Sequence, residues 1–206
     1  MSSDLKVTNI KHESSGSNNL VLGSDGSATA TLSSTSVVPA SVGASLQLLQ
    51  TNTFSSVIES GFQDVFSSDF RNYKMIGEIS GLNDTLYFRF YTSGTTQFTT
   101  SVYTTAGIGQ SDDANNRTQN HSDEQQWELD HATVDQAVFE YTIYKPFLTT
   151  DSFFSGTNLT ERTAGSLYIT MVQGGNVDSA TSFTGCRIFT SAGTTSGTIS
   201  IYGIKE

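Results

Sequence analysis

From about residue 46 onward, apolar and polar residues alternate in short segments separated by turns rich in Gly, Ser and Asn. In TLYFRFYT, for example, Leu86, Phe88 and Phe90 fall on one side of a period-two pattern and the residues between them fall on the other. Such segments predict β-strands. The predicted strands are LQLLQT, FSSVIESGF, NYKMIGEI, TLYFRFYT, QFTTSVYT, QWELDHA, AVFEYTIYK, SLYITMVQ, CRIFTS and TISIYGI. Eight to ten strands in this arrangement predict an all-β fold, a jelly-roll β-sandwich.

Two segments of this region lead to specific structural predictions. In SGTISIYGIKE, Ile199, Ile201 and Gly203 lie on one side of the pattern, so we expect a buried strand that closes the sandwich. The stretch DHATVDQAVFEY also fits helical spacing, but Phe139 and Ile143 continue a period-two pattern, which favours a strand for its second half.

The first 45 residues differ from the rest because they contain no Phe, Tyr or Trp. Short apolar clusters near residues 5–10, 20–22 and 28–32 predict three brief strands with turns at SGSN and SDGS, and a Ser-rich stretch with Pro39 predicts a linker. We therefore divide the chain into an N-terminal β arm, residues 1–45, and a body, residues 46–206. The arm lacks an aromatic core of its own, so we expect it to contact other copies of the chain, forming a trimer, or other proteins. The contact residues would be Leu5, Val7, Ile10, Leu20, Val21 and Leu22.

The charge of the chain limits the kinds of partner it can bind, and its cysteine content limits its thiol chemistry. The net charge is −10 and the pI is near 4.5, which argues against binding to nucleic acid or to an anionic membrane surface. The start MSSDLKVTNIKHESS has no secretory signal pattern, so we expect synthesis in a cytoplasm without membrane insertion. The single cysteine, Cys186, lies among alternating apolar residues and is predicted to be a core thiol.

The longest polar interval, GQSDDANNRTQNHSDEQQ, covers residues 109–126 and predicts a long surface loop that is either functional or disordered. Several aromatic residues are expected on outward strand faces, where they would pack against a neighbouring subunit or stack against sugars; they are Trp127, Tyr87, Tyr91 and Tyr168. The residues expected to contact a binding partner or a neighbouring subunit are Asp112, Asp113, Asn116, His121 and Trp127.

No motif in the sequence predicts a metal site, a cofactor or a catalytic centre. The acidic residues of the 109–126 interval do not have EF-hand spacing, and the gap between His121 and His131 fits no zinc motif. The glutamates of the body fall on different predicted strands, and no pair is brought together by the sequence. These glutamates are Glu59, Glu78, Glu128 and Glu140. We predict a non-enzymatic protein, and the alternatives are a carbohydrate-binding module or a polysaccharide depolymerase on the same fold.

Several phrases resemble a known class. LQLLQTNTFSSVIESGFQDVFSSDFRNYKMIGEISG, LYFRFYTSG and CRIFTSAGTTSGTISIYGIKE resemble the jelly-roll domains of tailed-bacteriophage virion proteins, and KVTNIKHESSGSNNLVLGSDGSATA resembles the module that precedes them. The resemblance implies a short fibre, tail appendage or capsid decoration that is made in the bacterial cytoplasm and located in the virion. Its partners would be other virion proteins and a host surface glycan.

Overall fold

The computed structural model describes residues 9–10, 20–22, 28–30, 46–81, 84–113, 115–129, 136–163 and 167–205. The chain divides into two compact units, Met1–Gly43 and Ala44–Glu206. The regular structure of these described residues consists of β-strands, which confirms the all-β prediction. They include no helix long and apolar enough to cross a membrane.

The first unit contains a three-stranded antiparallel sheet. Its strands are β1 (Asn9–Ile10), β2 (Leu20–Leu22) and β3 (Ala28–Ala30), in that order across the sheet. Leu20 is the partner of both Ile10 and Ala30, so β2 is the central strand. The predicted strands at Ile10, at Leu20–Leu22 and at Ala28–Ala30 are therefore confirmed. Leu5, Val7 and the predicted linker lie outside the described residues, and contact between arms stays a prediction.

The second unit contains two antiparallel sheets. Its strands are β4 (Leu46–Val57), β5 (Glu59–Phe62), β6 (Asn72–Ser80), β7 (Leu86–Ser93), β8 (Thr96–Gln97), β9 (Tyr103–Ser111), β10 (Asn116–Glu124), β11 (Trp127–Glu128), β12 (Gln136–Tyr144), β13 (Ser152–Thr163), β14 (Leu167–Val177), β15 (Gly185–Thr190) and β16 (Thr195–Ile204). The large sheet has eight strands in the order β10-β9-β14-β13-β12-β6-β16-β4. The small sheet has five, in the order β11-β7-β15-β5 with β8 paired to β7. This architecture is that of a β-sandwich, and the narrower assignment to a jelly roll stays a prediction.

The core lies between the two sheets and is rich in aromatic rings. Phe88 and Phe90 of β7 point toward the large sheet, and Phe90 stacks on Phe183 with 4.3 Å between ring centroids. Tyr103 and Phe154 of the large sheet join the same cluster. Large side chains fill this space because period-two alternation directs every second residue of each strand inward.

Two predictions about the core are confirmed. Ile199 and Ile201 of β16 are fully buried, and β16 lies between β6 and β4 as an interior strand of the large sheet. Gly203 faces the ring of Phe70 so closely that an added Cβ would lie 2.5 Å from it. Cys186 is buried and free, as expected of a core thiol.

The prediction of a long surface loop over residues 109–126 was wrong. β9 and β10 form a hairpin there, with Arg117 opposite Gly109 and Gln119 opposite Gly107. Its strands escaped sequence analysis because the inward position is occupied by an amide, Gln119, whose oxygen accepts a hydrogen bond from the buried Gln173. Two further differences are that β13 was not predicted, and that QFTTSVYT forms strand only at its two ends.

Candidate binding surface

The outer face of the large sheet exposes large apolar side chains. Each of five neighbouring strands contributes one large aliphatic side chain, and the exposed fractions of these side chains range from 38% to 70%. We call this set the apolar patch; it consists of Ile76, Ile108, Val138, Leu159 and Val172. Alternation explains the arrangement, because the residues before and after each of them are buried, except at Ile108, where both neighbours are glycines.

Strand register places the members of the apolar patch on neighbouring positions of one sheet face. Ile108 of β9 is opposite Val172 of β14, and Leu159 of β13 is opposite Val138 of β12. Val172 is in turn opposite Thr157, which lies two residues from Leu159 on the same face. Directly opposite residues on one face of an antiparallel sheet are about 4.5–5.5 Å apart and diagonal neighbours about 7–8 Å, so the patch is a band of neighbouring apolar side chains with polar residues between them.

A depression of about 530 Å³ lies on this face where β6, β12, β13 and β16 run side by side. Its wall includes Ile76, Val138 and Leu159 together with two carboxylates, Glu78 and Glu140. Hydroxyl groups of Thr157, Thr198, Ser200 and Tyr202 complete the lining. Its two middle strands each carry an apolar residue and a glutamate, with Ile76 opposite Glu140 and Val138 opposite Glu78, so the depression mixes apolar and acidic side chains.

The structure brings together two glutamates that the sequence left apart. Val138 is opposite Glu78, so Glu140, two residues further along β12, is a diagonal neighbour of Glu78. Diagonal neighbours have Cα atoms roughly 7–8 Å apart. Lys74 Nζ lies 2.5 Å from Glu140 Oε1 and neutralises that carboxylate. Glu59 and Glu128, by contrast, belong to the small sheet.

The predicted contact residues Asp112, Asp113 and Asn116 gather at the turn of the β9–β10 hairpin. Hydrogen bonds from the Ser111 hydroxyl and from Asn115 lower the pKa of Asp113 to about 2. Asp112 and Asn116 are exposed to solvent. This hairpin tip carries two carboxylates, of which Asp113 also forms an ion pair with Arg117, whose Nη2 lies 3.4 Å from Oδ2.

His121 does not belong to this tip. It follows Asn116 by five residues along β10, roughly 17 Å at the rise of an extended strand. His121 Nε2 lies 3.3 Å from Glu128 Oε2. Burial raises the pKa of Glu128, while the adjacent His121 opposes that shift. Within the part of the chain that the structure describes, no group of three or more His, Cys, Asp or Glu is placed to hold a metal ion.

The prediction that Trp127 is an exposed contact residue was wrong. Its side chain is 1% exposed and stacks on Phe88 inside the core. Tyr91, also expected outside, is 3% exposed because it lies over Gly61, where an added Cβ would be 2.9 Å from the tyrosine oxygen. Tyr168 does face outward, as predicted, at 43% exposure.

Two features characterise this protein structurally: a β-sandwich of two antiparallel sheets, and an outer sheet face that exposes apolar side chains. No family model, curated protein or solved structure matches the chain. The apolar patch was not found from the sequence because its members come from five strands spread over residues 76 to 172. The available signal was a large aliphatic residue on the polar side of an alternating segment, as at Ile76 in NYKMIGEI.

Proposed function

We propose that this chain is a non-enzymatic structural protein on the outside of a tailed-bacteriophage virion, a short fibre, tail appendage or capsid decoration built on a jelly roll. It assembles as a trimer and attaches through its N-terminal arm, residues 1–45. The apolar patch is the observation that carries the proposal. A large apolar surface left open to water is typical of proteins that assemble with a partner.

The size of the face supports assembly. Eight strands at about 4.8 Å spacing, with about nine residues each, span roughly 1,100 Å². A stable protein interface covers about 800 Å² on each partner. Three copies arranged around one axis would turn their large-sheet faces toward each other and remove the patch from water.

The acidic charge adds a condition to this assembly. Each copy carries a net charge of −10, so like-charge repulsion opposes association at low ionic strength. Salt screens that repulsion over a Debye length of about 8 Å at 0.15 M. The trimer is therefore expected to tighten as salt is added. The sequence resemblance to phage virion proteins supports the placement on a particle.

Light scattering after size exclusion tests the assembly. The wild-type chain is expected to elute as a trimer, and the double variant Leu159→Lys, Val172→Lys as a monomer, because the interface would bury two positive charges on each copy. Ser101→Lys, which adds charge at an exposed bend outside the large sheet, is the matched control and should remain trimeric. A wild-type monomer at all concentrations would contradict the assembly, and an unchanged trimer after removal of residues 1–45 would contradict the role of the arm.

Immunogold labelling of purified particles with an antibody to the body tests the location. Label on the capsid indicates a decoration, and label on the tail indicates a fibre or an appendage. Absence of label from intact and disrupted particles would contradict the virion assignment.

A second candidate function, a polysaccharide depolymerase, is favoured by the pair Glu78 and Glu140 in one depression. In inverting glycosidases, the carboxyl groups of a general acid and a general base lie about 6.5–9.5 Å apart. Cleavage of host polysaccharide by the wild type, lost in both Glu78→Gln and Glu140→Gln but retained in Glu161→Gln, would establish it in place of the structural role.

A further inference from the structure

Two arginines lie directly opposite each other on the outer face of the small sheet. Arg89 of β7 is the register partner of Arg187 of β15, and in the next outward row Tyr87 is the partner of Phe189. The guanidinium carbons of Arg89 and Arg187 lie 4.9 Å and 3.9 Å from the centroid of the Phe189 ring. Two cations therefore share one aromatic ring. We call Arg89 and Arg187 the arginine pair.

The arginine pair carries more positive charge than its neighbours neutralise. Arg187 Nη1 bonds to the carboxylate of Glu59, whose side chain is half exposed. Among the residues that the structure describes, Arg89 donates only to neutral acceptors: Nε to the Gln125 carbonyl at 3.0 Å, Nη1 to the Gln97 side chain at 2.8 Å, and Nη2 to the Gln126 side chain. Two cations thus face one carboxylate in a chain whose net charge is −10.

The other titratable groups on this face do not neutralise the excess positive charge of the arginine pair. Glu128, opposite Tyr87 on β11, is directed to His121. Burial lowers the pKa of Arg89, and the like charge of Arg187 lowers it further. Arginine remains protonated at any working pH. The repulsion between directly opposite like charges therefore persists until an anion neutralises it.

Unused hydrogen-bond donors surround the same point. Arg187 is 9% exposed, and its buried Nε has no hydrogen-bond partner among the residues the structure describes. A buried guanidinium N–H without an acceptor costs free energy. Gln97 and Gln126 use their amide oxygens to accept from Arg89, which leaves their NH₂ groups to donate elsewhere.

We propose that the arginine pair, with the amides of Gln97 and Gln126, binds a uronic-acid residue of an acidic polysaccharide. Planar guanidinium groups bind carboxylates through two parallel hydrogen bonds. The amide NH₂ groups then donate to the sugar hydroxyls that adjoin the carboxylate. A glutamate or aspartate of a partner protein would supply the carboxylate without those hydroxyls and would leave both amides unused. The arginine pair lies on the small sheet and the apolar patch on the large sheet, so the binding of this ligand can be tested independently of the assembly proposed above.

Calorimetry on the full-length protein tests the ligand class. The probes are short oligomers of galacturonate, glucuronate and mannuronate, each compared with its methyl ester, which keeps the sugar and removes the charge. At least one acid is expected to bind, and its ester about tenfold or more weakly. No binding by any of the acids, or equal binding of acid and ester, would overturn the proposal. A hexaglutamate peptide that binds as well as the sugar acid would show that the site reads charge alone and would overturn the sugar assignment.

Variants locate the site. Arg89→Gln is expected to weaken binding of the acid about tenfold or more, whereas Arg71→Gln, the same charge change at an exposed turn, should leave it unchanged. Gln97→Ala should produce a smaller loss. Equal effects of Arg89→Gln and Arg71→Gln would mean that only the overall charge matters, against the proposal. If Arg89→Gln melts early, Arg89→Lys preserves the charge and the stem, and it should retain part of the binding.

A direct readout accompanies the variants. The side-chain Nε–Hε signals of Arg89 and Arg187 should shift on titration of the acid, while that of Arg71 should not. Shifts confined to other arginines would place the ligand elsewhere and overturn the site.

Discussion

The buried position of Trp127 gives the sharpest test of the core. The indole lies 5.1 Å from Phe88, 5.1 Å from Phe90 and 4.4 Å from Phe154, centroid to centroid. Its Nε1–H donates to the carbonyl of Asn176 at 3.1 Å. Trp127→Ala removes these ring contacts and the hydrogen bond together.

The magnitude follows from these contacts. Truncating a buried Trp to Ala costs about 3–5 kcal/mol, and leaving the partly buried Asn176 carbonyl without its donor costs about 1 kcal/mol more. The expected loss of about 4–6 kcal/mol is large beside a typical domain stability of about 5–15 kcal/mol. Trp127→Phe keeps most of the ring contact and loses the N–H, so we expect a loss of about 1–3 kcal/mol.

Urea unfolding followed by circular dichroism is the assay, because the alanine variant lacks the chain's single tryptophan. Ile58→Ala, which truncates an exposed side chain at the bend between β4 and β5, is the control and should change the free energy of unfolding by less than about 0.5 kcal/mol. A loss below about 1 kcal/mol for Trp127→Ala would refute the burial. Quenching of the native fluorescence by iodide as efficiently as for free tryptophan would refute it independently.

Three further predictions concern single groups. Gly77→Ala would place a Cβ 2.3 Å from the Phe139 ring, so we expect a loss of about 1–3 kcal/mol in urea unfolding; unchanged stability would contradict the close approach. The pKa of Asp113, about 2 in the folded chain, lies below the unfolded value of about 3.9. Its contribution to stability is thus complete above about pH 4 and lost as the pH falls toward 2; a carboxyl-carbon NMR titration should have its midpoint near 2, and a midpoint near 4 would contradict the hydrogen bonds. Burial raises the pKa of Cys186, so its thiol should react with a thiol reagent only after unfolding, and rapid reaction in the native state would count against burial.

The sequence pattern was sufficient to predict a strand where the residues that face the core are apolar. The segment around Phe88 and the segment around Ile201 each alternate cleanly, and both strands were predicted together with the side that faces the core. The signal failed where polar groups occupy inward positions. In β13, Gly156 approaches the backbone of Glu140, and Asn158 donates to the Tyr141 hydroxyl at 3.0 Å, so no apolar period marks the strand.

The candidate surfaces were less predictable than the strands. Trp127 was assigned to the outside because polar residues flank it, but β11 has only two residues and provides no period that decides its side. The pairing of Arg89 with Arg187 depends on the register between strands about a hundred residues apart in sequence. No local pattern encodes that register, because it is fixed only when the sheet forms.

The position of β16 between β4 and β6 has a consequence for synthesis. β4 is the last strand of the large sheet and pairs with β16 alone; Thr51 and Ser200, whose hydroxyls are 2.8 Å apart, are separated by 149 residues. At about 5–20 residues per second, a ribosome adds β16 about 7–30 s after β4. Throughout that interval β4 has no strand to pair with in the large sheet, and one edge of β6 is open to other nascent chains. The large sheet is therefore completed only after residue 204 has been added, and slower translation lengthens the time in which these edges can pair with the wrong chain.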